Sequence, residues 1–381
     1  MLSKFRITAF ALLTVFLFSG TVNAVEKKLF DDRRTYARAD VVKVERIAGE
    51  EDNPYDVLVR IHLKILDGVR KGETPVVEFK GEDNMPKDMF YRAGDTVFIG
   101  IAKSGEDSEV EYVLLYDVDN TKGIIIFALL LLLAVIFVGR FRSVLSMLSL
   151  VATIVLLFYV LIPMTLKGSS PLPMATFISL VAIVITIPII LGFQKKTFAA
   201  ICGAASGVII STVLALFAGW IFRLTGIVTN EMMTVFYASS NDINLRGLVM
   251  SGIVISALGA IMDVCISIAS ATEEIFRVNP EISFKEAFKS IVTVSSDMLG
   301  ATVNTLMFAY VGGALPLVLM IGMKYDPGMP IAMIFNNSPV LSELVSSVIG
   351  CIGMFLSMPA TAIICIKLHH KAPAPPEGAR H

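Results

Sequence analysis

Histidine is scarce in this chain and missing from its apolar stretches: His62, His369, His370 and His381 are the four it has. That excludes a zinc hydrolase built on an intramembrane HExxH helix, in which two histidines must share one helical face. Cysteine is equally scarce. Cys202, Cys265, Cys351 and Cys365 all fall in apolar segments and none is spaced CxxC, so no metal site or cofactor is expected, and a charged N-terminal domain would fold without disulfides. Charge is sparse after residue 122. Residues 26–122 carry sixteen basic and twenty-two acidic side chains, more than half of all the charge in the chain. The local excess is negative, the wrong sign for holding phosphate backbones, which removes nucleic acid from the expected partners.

What the chain has in quantity is hydrocarbon. Its 381 residues are 55% hydrophobic with a mean hydropathy of +0.73, and several runs exceed the roughly 18 residues that mark a transmembrane helix. Seven spans are read, at about 123–139, 143–163, 172–192, 198–221, 247–270, 298–322 and 340–367, making an α-helical polytopic bundle over 123–368 whose first partner is the lipid bilayer. Lys4 and Arg6, the apolar run Ile7–Phe18 and Val22-Asn23-Ala24 form the three-part pattern of a secretory signal peptide over 1–24. Residues 25–122 are then outside the cytoplasm. The basic residues agree with this orientation: Arg140, Arg142, Lys195, Lys196, Arg277, Lys285, Lys289, Lys367 and Lys371 fall in inner segments, against Lys167, Arg223, Arg246 and Lys324 in outer ones. The expected location is the cell membrane, with the C-terminus cytoplasmic and the Pro-rich tail 369–381 disordered.

Residues 25–122 read as a small all-β domain. Val41–Val44, Tyr55–Leu66, Pro75–Phe79, Thr96–Ile101 and Glu109–Tyr116 are rich in β-branched and aromatic residues. Turn pairs such as Asp67-Gly68, Lys71-Gly72 and Gly94-Asp95 separate them. Five short strands suit an OB or SH3-like barrel, and periodicity does not choose between the two. Near the other end of the chain, Ser283 and Glu286 form a capping-box pattern, and Phe284, Ala287, Phe288 and Ile291 share one helical face. This predicts an amphipathic helix along the inner membrane surface, separate from the sixth span.

The chemistry-bearing candidates lie on the fifth and sixth spans. Gly252, Ser256, Gly259, Asp263 and Ser267 recur at steps of 4, 3, 4 and 4, which places them on one helical face. Gly350 and Gly353 do the same on the seventh. Small residues at this spacing let helices approach closely in lipid, so Gly252, Ser256, Gly259, Gly350 and Gly353 are read as packing positions. Asp263 needs a different account, because a carboxylate deep in a span costs about 2.5–3.5 kcal/mol and must face the bundle interior or water. Asn304 sits at a matching depth if the two spans run antiparallel. Two readings stand. In one, Asp263 belongs to a solute or ion pathway with Asn304, Ser267 and Thr305, and Asp297 guards the inner mouth. In the other, a protonated Asp263 is hydrogen-bonded to Asn304 as interhelix glue.

The strings MSGIVISALGAIMD, NPEIS, SSDMLGATVNTLMFAYVGGALP and GDTVFIGI make the chain resemble the YibE/F family of bacterial membrane proteins over roughly residues 35–368. The resemblance implies an exported β domain followed by a polytopic bundle and brings no catalytic assignment. The expected function is a permease or exporter of a small polar solute or ion, coupled to protons or a cation. The alternative is a scaffold or sensor that anchors an exported binding domain and transports nothing. An enzyme is not expected, since no nucleophile–base set stands out. Homo-oligomerisation is left open.

Overall fold

The structure, a computed structural model, describes residues 34–47, 56–68, 70–82, 91–103, 111–238, 243–313, 315, 316, 319, 323 and 330–370. The expected signal peptide and the tail after His370 lie outside the described residues. Two compact units divide at residue 140 and are taken separately.

The N-terminal unit is an antiparallel sheet of β1 (Arg34–Ile47), β2 (Asp56–Ile65), β3 (Val76–Glu82), β4 (Thr96–Lys103) and β5 (Glu111–Val118). Its order is β3-β2-β1-β4-β5. The fourth strand therefore returns to lie beside the first, a Greek key extended by β5, and the outer strands β3 and β5 approach each other. A curled, partly open Greek-key barrel is the OB arrangement rather than the SH3-like one. Alternation explains the core. Ala37, Ala39 and Val41 of β1, Val59, Ile61, Leu63 and Ile65 of β2, and Val97, Ile99 and Ile101 of β4 all point to one buried side. A register shift between Val41 and Lys43 adds the local bend that curls the long first strand. Gly68, Gly72 and Gly94 take φ of 83°, 94° and 96°, which only glycine adopts without cost, at the turns expected from sequence.

The rest of the chain is helical, and the boundary between the two units falls inside its first helix. Helix α1 (Thr121–Leu156) is continued by a wide turn at Leu157–Leu161 and by Ile162–Leu166. Then follow α2 (Pro171–Leu191), α3 (Lys195–Ile221), the short α4 (Asn230–Ala238), α5 (Leu245–Val278), α6 (Phe284–Gly313), the short α7 (Ile331–Phe335) and α8 (Ser338–His370). Among the described residues six helical segments are long and apolar enough to cross a bilayer: Met147–Leu166, α2, α3, α5, α6 and α8. The first expected span is present as the shorter apolar stretch Thr121–Phe137. The reversal expected at Arg140–Arg142 is not seen, because the backbone stays helical from Thr121 to Leu156. Gly139 alone, about 1 kcal/mol worse than Ala in a helix, does not end it.

A second difference concerns α6. The amphipathic segment and the sixth span form one continuous helix. The capping box starts it as expected: Ser283 Oγ donates to Glu286 Oε2 at 2.7 Å, and the Glu286 amide donates back to Ser283 Oγ at 3.3 Å. No proline follows before residue 313, so nothing stops the helix where the amphipathic pattern ends.

Helices α3, α5 and α8 form the tight centre of the bundle, with α2 and α6 flanking it. A Cβ added at Gly207 of α3 would stand 2.9 Å from Ser357 Cβ and 3.1 Å from the Gly353 carbonyl of α8. One added at Gly353 would stand 3.1 Å from Ile261 of α5. The three backbones therefore meet as closely as glycine allows, and dispersion contacts and local packing replace the hydrophobic drive that lipid cannot supply.

Candidate functional site

Helix directions follow from the contacts. Gly350 of α8 lies over Ala257 of α5 and Gly353 over Ile261, while Cys365 Sγ lies 3.8 Å from the Ala269 carbonyl, so α8 runs parallel to α5. Tyr310 of α6 reaches Ser346, and Leu306 reaches Gly350, so α6 runs antiparallel to both. Between the three helices lies a cavity of 280 Å³, capped by Val228, Thr229 and Met232 and lined below by Gly252, Ser256, Tyr310, Ser342, Glu343 and Ser346. Its hydroxyls are linked. Ser346 Oγ lies 2.9 Å from Ser256 Oγ and 3.1 Å from the Tyr310 hydroxyl. One side chain of each helix thus joins a single hydrogen-bonded chain, and Glu343 brings the cavity's carboxylate.

Asp263 continues the same face of α5 inward. Gly252, Ser256, Gly259 and Asp263 are all exposed on the bundle. Asp263 lies seven residues beyond Ser256, about 10 Å along the axis, and Asn304 lies six residues below Tyr310 on α6. The two therefore stand at nearly the same level, as the sequence suggested. They are not bonded: among the described residues Asp263 has no hydrogen-bond or ion-pair partner. Among the described residues no Asp263–Asn304 hydrogen bond is formed. Asn304 and Thr305 are exposed, and the Thr305 hydroxyl donates to Ala301 O of its own helix at 3.0 Å. Ser267 is half-buried, two turns of helix in from Gly259. Asp297 is exposed and sits near the middle of α6, which begins at Phe284.

The packing glycines separate into two groups. Gly350 and Gly353 meet neighbouring helices, whereas no atom lies within 4 Å of a Cβ built at Gly252 or Gly259. Ser256 serves as a cross-helix hydrogen-bond partner. The packing face of α5 is instead Ala257, Ile261, Cys265 and Ala269, each fully buried. Glu343 is the functional candidate missed from sequence. The signal available in sequence is weaker than that for Asp263: Glu343 is an exposed carboxylate between Ser342 and Ser346 close to the start of α8 rather than deep inside a span.

At the opposite end of the bundle Lys196 Nζ and Glu273 Oε2 pair at 2.5 Å, with the lysine side chain only 15% exposed. Beside this pair the His369 ring stacks on Phe276 at 5.1 Å, and His369 Nδ1 lies 2.9 Å from the Cys365 carbonyl. This cluster clasps α3, α5 and α8 together. A larger groove of 750 Å³ runs between α2, α3 and α5. Its walls are mostly hydrocarbon, and Arg246 at its edge donates to the Gly219 carbonyl.

Six apolar helices packed around a glycine seam, following a small exposed-charge β unit, define a multi-pass membrane protein. A YibE/F-like protein family model matches residues 127–371, well over half of the chain, and the chain belongs to that family. The match begins after the β unit, so GDTVFIGI at 94–101 lies outside it. No curated protein and no solved structure matches the chain.

Proposed function

We propose that this protein is a permease or exporter of a small polar solute or ion, with Asp263 as a carboxylate on the permeation route. The observation behind this reading is the placement of Asp263. It sits near the middle of the 34-residue α5, exposed and unpaired among the described residues, in line with the hydroxyl-lined cavity above it. A charge at that depth is unfavourable against lipid by about 2.5–3.5 kcal/mol, and a groove that admits water or substrate removes the penalty. The linked hydroxyls of Ser346, Ser256 and Tyr310 at one level and Asp263 and Asn304 at another supply two polar stations some 10 Å apart along the bundle. Coupling to protons or a cation is the role such an intramembrane carboxylate commonly has.

The test is flux in proteoliposomes carrying an internal pH dye and a clamped membrane potential. Wild-type protein is expected to pass protons or cations, and Asp263→Asn to lower that flux by about tenfold or more, equivalent to roughly 1.4 kcal/mol. Equal flux through wild type and variant at every pH between about 6 and 8, roughly a unit either side of neutrality, would remove Asp263 from the route. If deleting the β unit abolished the cellular phenotype while Asp263→Asn left it intact, the scaffold or sensor reading would replace this one.

A further inference from the structure

We infer that the cavity between α5, α6 and α8 is a binding site for a small organic cation: an ammonium group carried on a short apolar body. This deepens the permease reading by naming a substrate class, and it rests on that reading only for transport, not for binding. Four observations converge. First, the charge in the cavity has one sign. Glu343 is the ionisable acid among the described lining residues, and none of them is Lys, Arg or His. An anion would meet a carboxylate with no compensating cation and would not be held. Second, the polar groups are grouped rather than scattered. Ser256, Ser346 and Tyr310 are within hydrogen-bond distance of one another, and Ser342 and Thr229 add two further hydroxyls. An ammonium has three protons to donate and no acceptor, and a carboxylate with neighbouring hydroxyl oxygens satisfies it through charge-assisted hydrogen bonds.

Third, Tyr310 contributes an aromatic ring to the wall. An aromatic face attracts a cation through its quadrupole, an interaction available to organic ammonium ions. Fourth, the remaining wall is apolar: Val228, Met232, Leu248, Val249 and Ile253. A bare metal ion would leave that surface unmatched and would find the cavity far too large. At 280 Å³ the site falls just under the roughly 300 Å³ at which drug-sized sites begin, so the occupant is small.

The experiment uses full-length protein purified in detergent, with equilibrium dialysis of radiolabelled phenethylammonium as the probe. Phenylethyl alcohol and phenylpropionate, of the same shape but neutral and anionic, serve as competitors. Phenethylammonium is expected to bind saturably, phenylethyl alcohol to compete at least about tenfold more weakly, and phenylpropionate not to compete, since a hydrogen bond to a charged group is worth about 1.5–3 kcal/mol. Glu343→Gln is expected to weaken the ammonium by a similar factor while leaving the neutral alcohol unchanged. Tyr310→Leu should weaken it and Tyr310→Phe, which keeps the ring, should hold most of the affinity. An unchanged melting temperature without ligand shows that the variants are folded, and if Glu343→Gln fails this check the Tyr310 pair decides. Equal competition by the three probes, or binding indifferent to Glu343→Gln and Tyr310→Leu, overturns the proposal. Because dialysis needs no transport, amine binding without amine, proton or cation flux would leave this site standing and remove the permease reading. Flux carried by an anion with no amine binding would do the reverse.

Discussion

At the scale of single residues, the same amino acid has opposite consequences on neighbouring helices. Gly207 stands where a methyl group would press into Ile261, Ser357 and the Gly353 carbonyl, and Gly259 stands where it would touch nothing. Overpacking a closely fitted interior costs about 1–3 kcal/mol, whereas Gly→Ala in an unobstructed helix gains up to about 1 kcal/mol. Gly207→Ala is therefore expected to lower the melting temperature of the detergent-solubilised protein, and Gly259→Ala to leave it unchanged or raise it. Equal responses would mean that the seam is looser than its contacts indicate. The difference was not legible in sequence. Spacing identified the face carrying Gly252, Ser256, Gly259 and Asp263, and it could not say which way that face turns. In water an apolar face turns inward. In lipid, hydrocarbon outside is no worse than hydrocarbon inside, so the direction is decided by what the neighbouring helices offer, and those contacts are long-range.

At the scale of elements, the β unit owes its legibility to water. Five strands and their glycine turns could be read because alternation has one meaning when one side is solvated and the other buried. The choice between barrel types needed the pairing of β1 with β4, fifty residues and more apart in sequence, which no local pattern reports. The same unit carries a pH dependence. The Arg38 backbone and side chain both donate to Asp67, at 2.6 and 2.8 Å, and this holds the Asp67 carboxyl below its usual range. Lys43 does the same for Glu45, and the Thr121 hydroxyl and amide do so for Asp119. Carboxyls depressed in the folded state bind fewer protons there than in the unfolded chain. The stability they supply is present above the ordinary carboxylate pKa of about 4 and is lost as pH falls through their lower folded values. Asp67→Asn is accordingly expected to destabilise β1 and β2 at pH 7 and to do so less at about pH 3, as read by hydrogen exchange corrected for intrinsic rates. A penalty that stayed the same at both values would show that the carboxylate's charge contributes nothing.

At the scale of the whole molecule, the number of crossings decides where the ends lie, since an odd number separates them and an even number returns the chain to its starting side. Among the described residues six segments qualify, and Thr121–Phe137 is not a separate crossing, because the helix runs from it into Met147–Leu166 without a reversal. The bias of basic residues predicts that Arg140 and Arg142 face the cytoplasm, and on that reading a cysteine replacing Phe141 in a background without the four native cysteines should react with membrane-impermeant maleimide only after the cytoplasmic face is opened. Labelling from the outside of intact cells would invert that orientation. The sequence indicated the bundle and the depth match of Asp263 with Asn304 because hydropathy and rise per residue are local quantities. It did not indicate the cavity, which exists only because α5 and α8 run parallel and bring Ser256 beside Ser346, ninety residues later in the chain.

The glycine seam also fixes what can move. Where helices touch through Gly207 and Gly353 there is no side chain to change rotamer and no gap to take up a shift, so α3, α5 and α8 behave as one stiff frame. Two walls of the cavity, α5 and α8, belong to that frame. The third is α6, of which few side chains are buried, and its link to the cavity is the Tyr310 hydroxyl on Ser346. Any widening or narrowing of the opening is therefore a displacement of one arm against a fixed jaw, resisted near the cavity by the Tyr310–Ser346 hydrogen bond and by Leu306 against Gly350.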